Sequence, residues 1–168
     1  MKKLFLALVL ACAVFSVHAM EFSFFDYADC VKNASAVTDL GLGYGYGFDI
    51  HGSYEKITPI DAGDKTLPLS FGGCADVSFY YGINVSGDAR VSWHYTLGIP
   101  KLDLYFGPSI GFKVLWIGCP DEWVKPHFAM DWGGNAGLRW AFKDSMAAFV
   151  EFGYTGLTYA KVGITFIK

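Results

Sequence analysis

The sequence predicts an all-β chain: an antiparallel up-and-down transmembrane β-barrel of eight strands behind a cleaved signal peptide. Three observations predict it. Residues Ile83 to Leu97 alternate almost without error, with Ile83, Val85, Gly87, Ala89, Val91, Trp93, Tyr95 and Leu97 apolar or small and Asn84, Ser86, Asp88, Arg90, Ser92, His94 and Thr96 polar. A period of two sends successive side chains to opposite faces of a strand. The same alternation recurs along the chain, and the N-terminus has the layout of an export signal. Fifteen residues exceed the usual soluble strand of about five or six and cover the roughly nine to eleven that a tilted membrane strand needs.

At the N-terminus Lys2 and Lys3 precede an apolar run, Leu4 to Phe15, and small residues at Val17 and Ala19. This reads as a signal peptide, residues 1–19, cleaved after Ala19, leaving a barrel domain over 20–168. An uncleaved anchor helix and lipid attachment at Cys12 are the alternatives. Without the two signal lysines the chain holds 11 basic against 16 acidic residues. No basic tract remains, so nucleic acid is not an expected partner. The composition is 53% hydrophobic and 18% aromatic, with mean hydropathy +0.32. No apolar run beyond the signal reaches the length of a membrane helix, whereas apolar residues at every second position suit a membrane barrel. Cys30, Cys74 and Cys119 have wide spacing and no CxxC, which argues against zinc and permits one disulfide with one thiol left over.

The strands follow in order. Leu40 to Ile50 places Leu40, Leu42, Tyr44, Tyr46, Phe48 and Ile50 against glycines and Asp49. Leu69 to Phe79 sets Leu69, Phe71, Val77 and Phe79 against Ser70, Cys74, Asp76 and Ser78. After Ile83–Leu97 come Leu102 to Trp116, Phe128 to Phe142, Met146 to Tyr154 and Thr158 to Phe166. Short turns are expected at Tyr81-Gly82, Gly98 to Lys101, Lys143 to Ser145 and Thr155 to Leu157. Longer loops are expected at Thr58 to Thr66 and Ile117 to Pro126. These are seven strands of a meander. A barrel with both termini at one end needs an even number, and Glu21 to Tyr27 is the candidate eighth. Trp93, Tyr95, Trp140 and Phe142 would form one aromatic girdle, and Tyr80, Tyr81, Trp116 and Tyr154 the other. Trp132 fits neither.

The wet face is assigned to the lumen for two further reasons. Glycines 41, 43, 45, 47, 107, 111, 137 and 163 lie on it, where a crowded interior needs room and a solvent face would only be weakened. Lysines, the usual guards of exposed strands, are few on it. The lumen then gathers a charge network of Asp49, Asp76, Asp88, Arg90, Asp103, Lys113, Asp131, Arg139, Glu151 and Lys161. It reads as a structural plug or as a gate, since unpaired charges in a tight lumen are costly.

Leu104-Tyr105-Phe106-Gly107-Pro108-Ser109-Ile110-Gly111-Phe112 resembles the YxGxGxG strand of small Gram-negative outer-membrane barrels. Gly137 to Ser145 followed by Phe149 to Tyr154 resembles the closing strand-turn-strand of the opacity-protein, outer-membrane-protein-W and outer-membrane-protein-A transmembrane families. The resemblance covers about Leu102 to Lys168, with Ile167 and Lys168 following Phe166 where those families end on an aromatic. It implies a porin-like, adhesin or structural barrel of the cell outer membrane, with outer-membrane lipid and the barrel-assembly machinery as partners, no cofactor and no shared catalytic set. The residues set no oligomeric state.

Other chemistries find less support in the residues. Ser92 and His94 share a face, as a barrel hydrolase acting on lipid would require, but no third residue is placed to orient the histidine. His51, His94 and His127 lack metal-ligand spacing. No helix or Lys-Ser/Thr follows the glycine ladder, so it is no phosphate loop. The expectation is a non-enzymatic barrel with a structural, surface-interaction or narrow small-solute channel role. The alternatives are the lipid-modifying hydrolase and a soluble periplasmic ligand-binding barrel.

Overall fold

The computed structural model describes residues 25–79, 82–116 and 126–168. The signal-peptide, Cys12 and Cys119 readings fall outside them, as does most of the 117–126 loop. The described chain begins with a single helical turn, α1 (Asp29–Lys32), followed by strands β1 (Ala36–Gly45), β2 (Phe48–Ile57), β3 (Ile60–Ala62), β4 (Lys65–Leu67), β5 (Leu69–Phe79) and β6 (Ile83–Tyr95). Strands β7 (Leu102–Leu115), β8 (His127–Lys143), β9 (Met146–Thr155) and β10 (Thr158–Ile167) complete it. Eight strands close into a barrel in the order β1-β10-β9-β8-β7-β6-β5-β2, every neighbour antiparallel, while β3 and β4 form a separate hairpin.

Two expectations about strands are corrected. Leu40 to Ile50 is not one strand but the hairpin of β1 and β2, turning at Tyr46 and Gly47. The pairing Tyr44↔Phe48, Leu42↔Ile50, Leu40↔Gly52 joins residues of equal parity. The alternation therefore runs through the turn without losing phase, and periodicity has no break to report. This hairpin supplies the eighth strand. Glu21 to Tyr27 does not supply it: Phe25 to Tyr27 lie outside any strand, and Glu21 to Phe24 fall outside the described residues. The 58–66 loop also holds structure of its own, the β3–β4 hairpin, whose Gly63 turn has φ +71°.

The faces are as the alternation implies. On β6, Asn84, Ser86, Asp88, Arg90, Ser92 and His94 are buried while Ile83 is 55% exposed. Outside the barrel, Tyr44, Phe128, Met130 and Trp132 are 71–81% exposed. A water-soluble surface rarely carries apolar patches beyond a few hundred Å², and here the apolar band surrounds the barrel. Trp93, Tyr95, Trp140 and Phe142 stand near the end where β6 stops and β8 turns into β9, as expected of a girdle. Tyr154 is corrected. Gly153 (φ +146°) interrupts the phase of β9, and the Tyr154 hydroxyl meets Lys113 of the lumen instead of lipid.

A cap packs into one mouth and a turn folds into the other. At the terminal end, where Val37 pairs with Ile167, Ala28 and Val31 pack with Val37, Ile57, Ala141, Ala147 and Ile167 into a small apolar core. The Tyr27 hydroxyl donates to the Leu69 carbonyl at 2.7 Å, locking this cap to β5. Burial pushes the Tyr27 phenol up to about 12 and the Cys30 thiol likewise to about 12. At the far end the β9–β10 turn folds inward, burying Gly156, Leu157 and Thr158. Gly156 (φ +64°) has no room for a side chain, because a Cβ would strike Ser86 and Asp88.

Candidate functional site

The lumen is the candidate site. Every residue assigned to the charge network lies there, and all ten are at most 8% exposed. The structure adds two acids the sequence reading missed, Asp39 and Glu55, both fully buried. They were missed because reading Leu40 to Ile50 as one strand left both outside any strand. The lumen thus holds eight acids against Arg90, Lys113, Arg139 and Lys161, with His51 and His94 beside them.

In the half nearer the terminal end every carboxylate is paired, although Arg90 Nε and Asn135 Oδ1 make no hydrogen bond. Arg139 reaches Asp39 Oδ2 at 2.9 Å, Glu55 Oε1 at 3.2 Å and Asp103 Oδ2 at 3.1 Å. Its guanidinium carbon lies 3.8 Å from the centroid of the Tyr105 ring. Arg90 bonds Glu151 Oε2 at 3.1 Å and Asp39 Oδ2 at 3.3 Å, and also meets Glu55. Glu151 further accepts from Tyr105 (3.0 Å), Asn135 (3.2 Å) and Lys161 (3.1 Å). Thr165 and Ser53 donate to Asp39. Two planar guanidinium forks, always charged, are suited to bridging several carboxylates at once. The connected set draws a side chain from every one of the eight barrel strands.

His94 belongs to this half. Its Nδ1 lies 2.9 Å from Asp103 Oδ1 and its Nε2 lies 3.0 Å from Ser70 Oγ. Ser70, not Ser92, is therefore the serine partner of His94, and Asp103 is the third residue that the sequence did not place. The spacing is that of a nucleophile, base and orienting acid, but the protons run the other way. Ser70 Oγ donates to Glu55 Oε2 at 2.5 Å. A carboxylate only accepts, so the Ser70 proton points to Glu55 and away from His94 Nε2, where a nucleophile's proton would have to go. Ser70, His94 and Asp103 are all fully buried.

The half nearer the far end is less well paired. Asp76 bonds His51 Nδ1 at 2.7 Å and Ser86 at 3.3 Å, and Lys113 lies 3.3 Å from Asp131. Neither oxygen of Asp49 has a hydrogen-bond partner, and Ser78 Oγ, Thr158 Oγ1 and His51 Nε2 are also without one. Among the described residues no three His, Cys, Asp or Glu side chains converge as a metal centre would require. Cys30 and Cys74 both carry free thiols.

The fold and its lumen define a class: a closed eight-stranded β-barrel of the transmembrane type, apolar outside and ionic within. Solved structures agree. The chain is similar to the N-terminal β-barrel domain of Pseudomonas aeruginosa OprF, with TM-score 0.65 and 13% identity over 80% of this chain and 98% of that one. It is also similar to a structure from the de novo design of transmembrane β-barrels, with TM-score 0.52 and 18% identity over 80% of this chain and 96% of that one. No protein-family model and no curated protein matches the chain.

Proposed function

We propose that the protein is a small outer-membrane barrel with a structural role, anchored by lipid contact and non-conducting at rest. The observation that carries this reading is the ion network itself. Arg90 and Arg139 bridge carboxylates of β1, β2, β7 and β9 across the lumen, where an eight-stranded barrel has room only for its own side chains. The cap at one end and the inward turn at the other add to it. Outer-membrane lipid and the barrel-assembly machinery are the partners this role requires. The test is current across a planar bilayer holding the refolded full chain. Baseline current is expected, and steady openings that depend on the protein would overturn the reading. Release of the chain from the envelope by a high-salt or carbonate wash would overturn the membrane placement in favour of the soluble barrel.

The Ser70–His94–Asp103 arrangement favours a second reading, a hydrolase acting on lipid. Against it stand the direction of the Ser70 proton and the burial of all three residues. A serine-reactive fluorophosphonate should leave the chain unlabelled; labelling lost in Ser70→Ala would reinstate the enzyme.

A further inference from the structure

The lumen holds more acid than base. In the half nearer the terminal end Asp39, Glu55, Asp103 and Glu151 meet Arg90, Arg139, Lys161 and His94, four acids against four partners able to carry positive charge. Towards the other end Asp49, Asp76, Asp88 and Asp131 meet Lys113 and His51, and Asp49 and Asp88 share the field of Lys161. Even with both histidines charged, the lumen keeps two uncompensated negative charges. Ionised carboxylates away from water are very costly without a counter-charge.

One acid stands apart from the rest. Asp49 is fully buried with both oxygens unpartnered. It sits at the far-end start of β2, opposite Ser78 of β5 in register. The hydroxyls of Ser78 and Thr158 lie close enough to act on it, as do the charges of Asp76 and Lys161, yet neither hydroxyl meets it with the geometry of a hydrogen bond. Both hydroxyl groups are fully buried. Asp131, Asp76, Lys161 and Lys113 surround Asp88 electrostatically in the same half. Opposite Asp49 on β1 stands Gly43, where a Cβ would strike the Thr158 methyl, so β1 places no side chain there. Leu157 and Thr158 of the inward β9–β10 turn are buried at the same end.

We propose that this end of the lumen binds a small hard cation, alkali or alkaline-earth, held by the Asp49 carboxylate and the Ser78 and Thr158 hydroxyls. Such ions take carboxylate, hydroxyl and water oxygens in flexible geometry and do not need a tight cluster of His, Cys or acid ligands. Asp76, Asp88 and Asp131 supply the field that draws the ion in, and Lys113 and Lys161 limit the number held. Asp49 is thus a ligand, and the surrounding acids set the affinity. The inference needs only a closed lumen; its failure would leave the non-conducting barrel standing.

The test uses the full chain refolded in detergent micelles and dialysed against chelator. Its thermal unfolding midpoint is followed by heat-modifiable gel migration in choline, sodium, potassium, magnesium or calcium chloride at equal ionic strength. At least one small cation should raise the midpoint by about 5 °C over choline at a concentration near 100-fold above its Kd. Asp49→Asn should abolish that shift and Thr158→Val should weaken it, while Asp144→Asn in the exposed β8–β9 turn should keep it. Equal midpoints in all salts would overturn the proposal, as would a shift that survives in Asp49→Asn. A midpoint that rises only on acidification would also overturn it, assigning the missing charge to protons. Should Asp49→Asn fail to refold, Thr158→Val and equilibrium binding of radioactive calcium and sodium to the parent chain decide the matter.

Discussion

Arg139→Met is the sharpest test of the lumenal network. The substitution keeps an unbranched, apolar side chain of similar length and removes the guanidinium that holds Asp39, Glu55 and Asp103. Arg90 continues to hold Asp39 and Glu55, so Asp103 loses most, keeping only His94 at 2.9 Å. Tyr105 also loses the cation stacked on its ring. Removing one partner of a buried ion pair costs about 3–5 kcal/mol, because the other charge stays behind without compensation. That range is expected here, with Arg90 keeping it from rising further. The assay is reversible urea unfolding of the full chain into lipid vesicles, read by tryptophan fluorescence. Asp103→Leu combined with Arg139→Met should recover at least about 1 kcal/mol relative to the sum of the single changes, since contacting residues couple by about 0.5–3 kcal/mol. A loss below about 1 kcal/mol for Arg139→Met, or strict additivity in the cycle, would refute the claim that the network holds the barrel together.

Four further outcomes are expected. Ile110→Arg places a charge on the lipid face, where Ile110 pairs with Trp132 and is 58% exposed; it should cost about 2–4 kcal/mol in the same vesicle assay, against about 0–1 kcal/mol near a rim. Gly137→Ala should lower the urea midpoint, because its Cβ would stand 2.5 Å from the Tyr105 hydroxyl and push that group from Glu151; the double change with Tyr105→Phe should not relieve the ring contact. Cys30, whose thiol burial holds near 12 rather than 9.0, should react with maleimide at mildly alkaline pH about a thousandfold more slowly than an ordinary thiol, because the thiolate is the reactive form; rates are compared in a chain whose other cysteines are serine. Tyr27 is raised from 10.0 to about 12 by burial. Its contribution to the cap is complete below pH 10 and disappears as pH rises through about 12, so the stability gap between parent and Tyr27→Phe should close over that window.

The sequence and structure part company at particular residues. Inward and outward faces were legible wherever a strand stayed in one phase, as on β6 and β8. The β1–β2 turn was not legible, because its pairing preserves parity. Asp39, Ser53 and Glu55 went unseen with it, and they supply much of the bonding to both arginines. Tyr154 was misplaced for the opposite reason: Gly153 shifts the phase at a point where the sequence continues to alternate. His94 was singled out beside Ser92, its neighbour two positions away on β6. Its true partners, Ser70 and Asp103, come from the adjacent strands β5 and β7, and a cross-strand pair depends on register.

By itself, then, the sequence determined that the chain is a barrel with an apolar exterior and a polar, glycine-relieved lumen, because side-chain direction on a strand follows from position and nothing else. Only the tertiary structure decided which charges meet. Closure of β1 on β10 brings Asp39 within 2.9 Å of Arg139, 100 residues away. It also left Asp49 buried without a partner. Pairing across a lumen depends on the register and tilt of all eight strands together, and no local pattern encodes that.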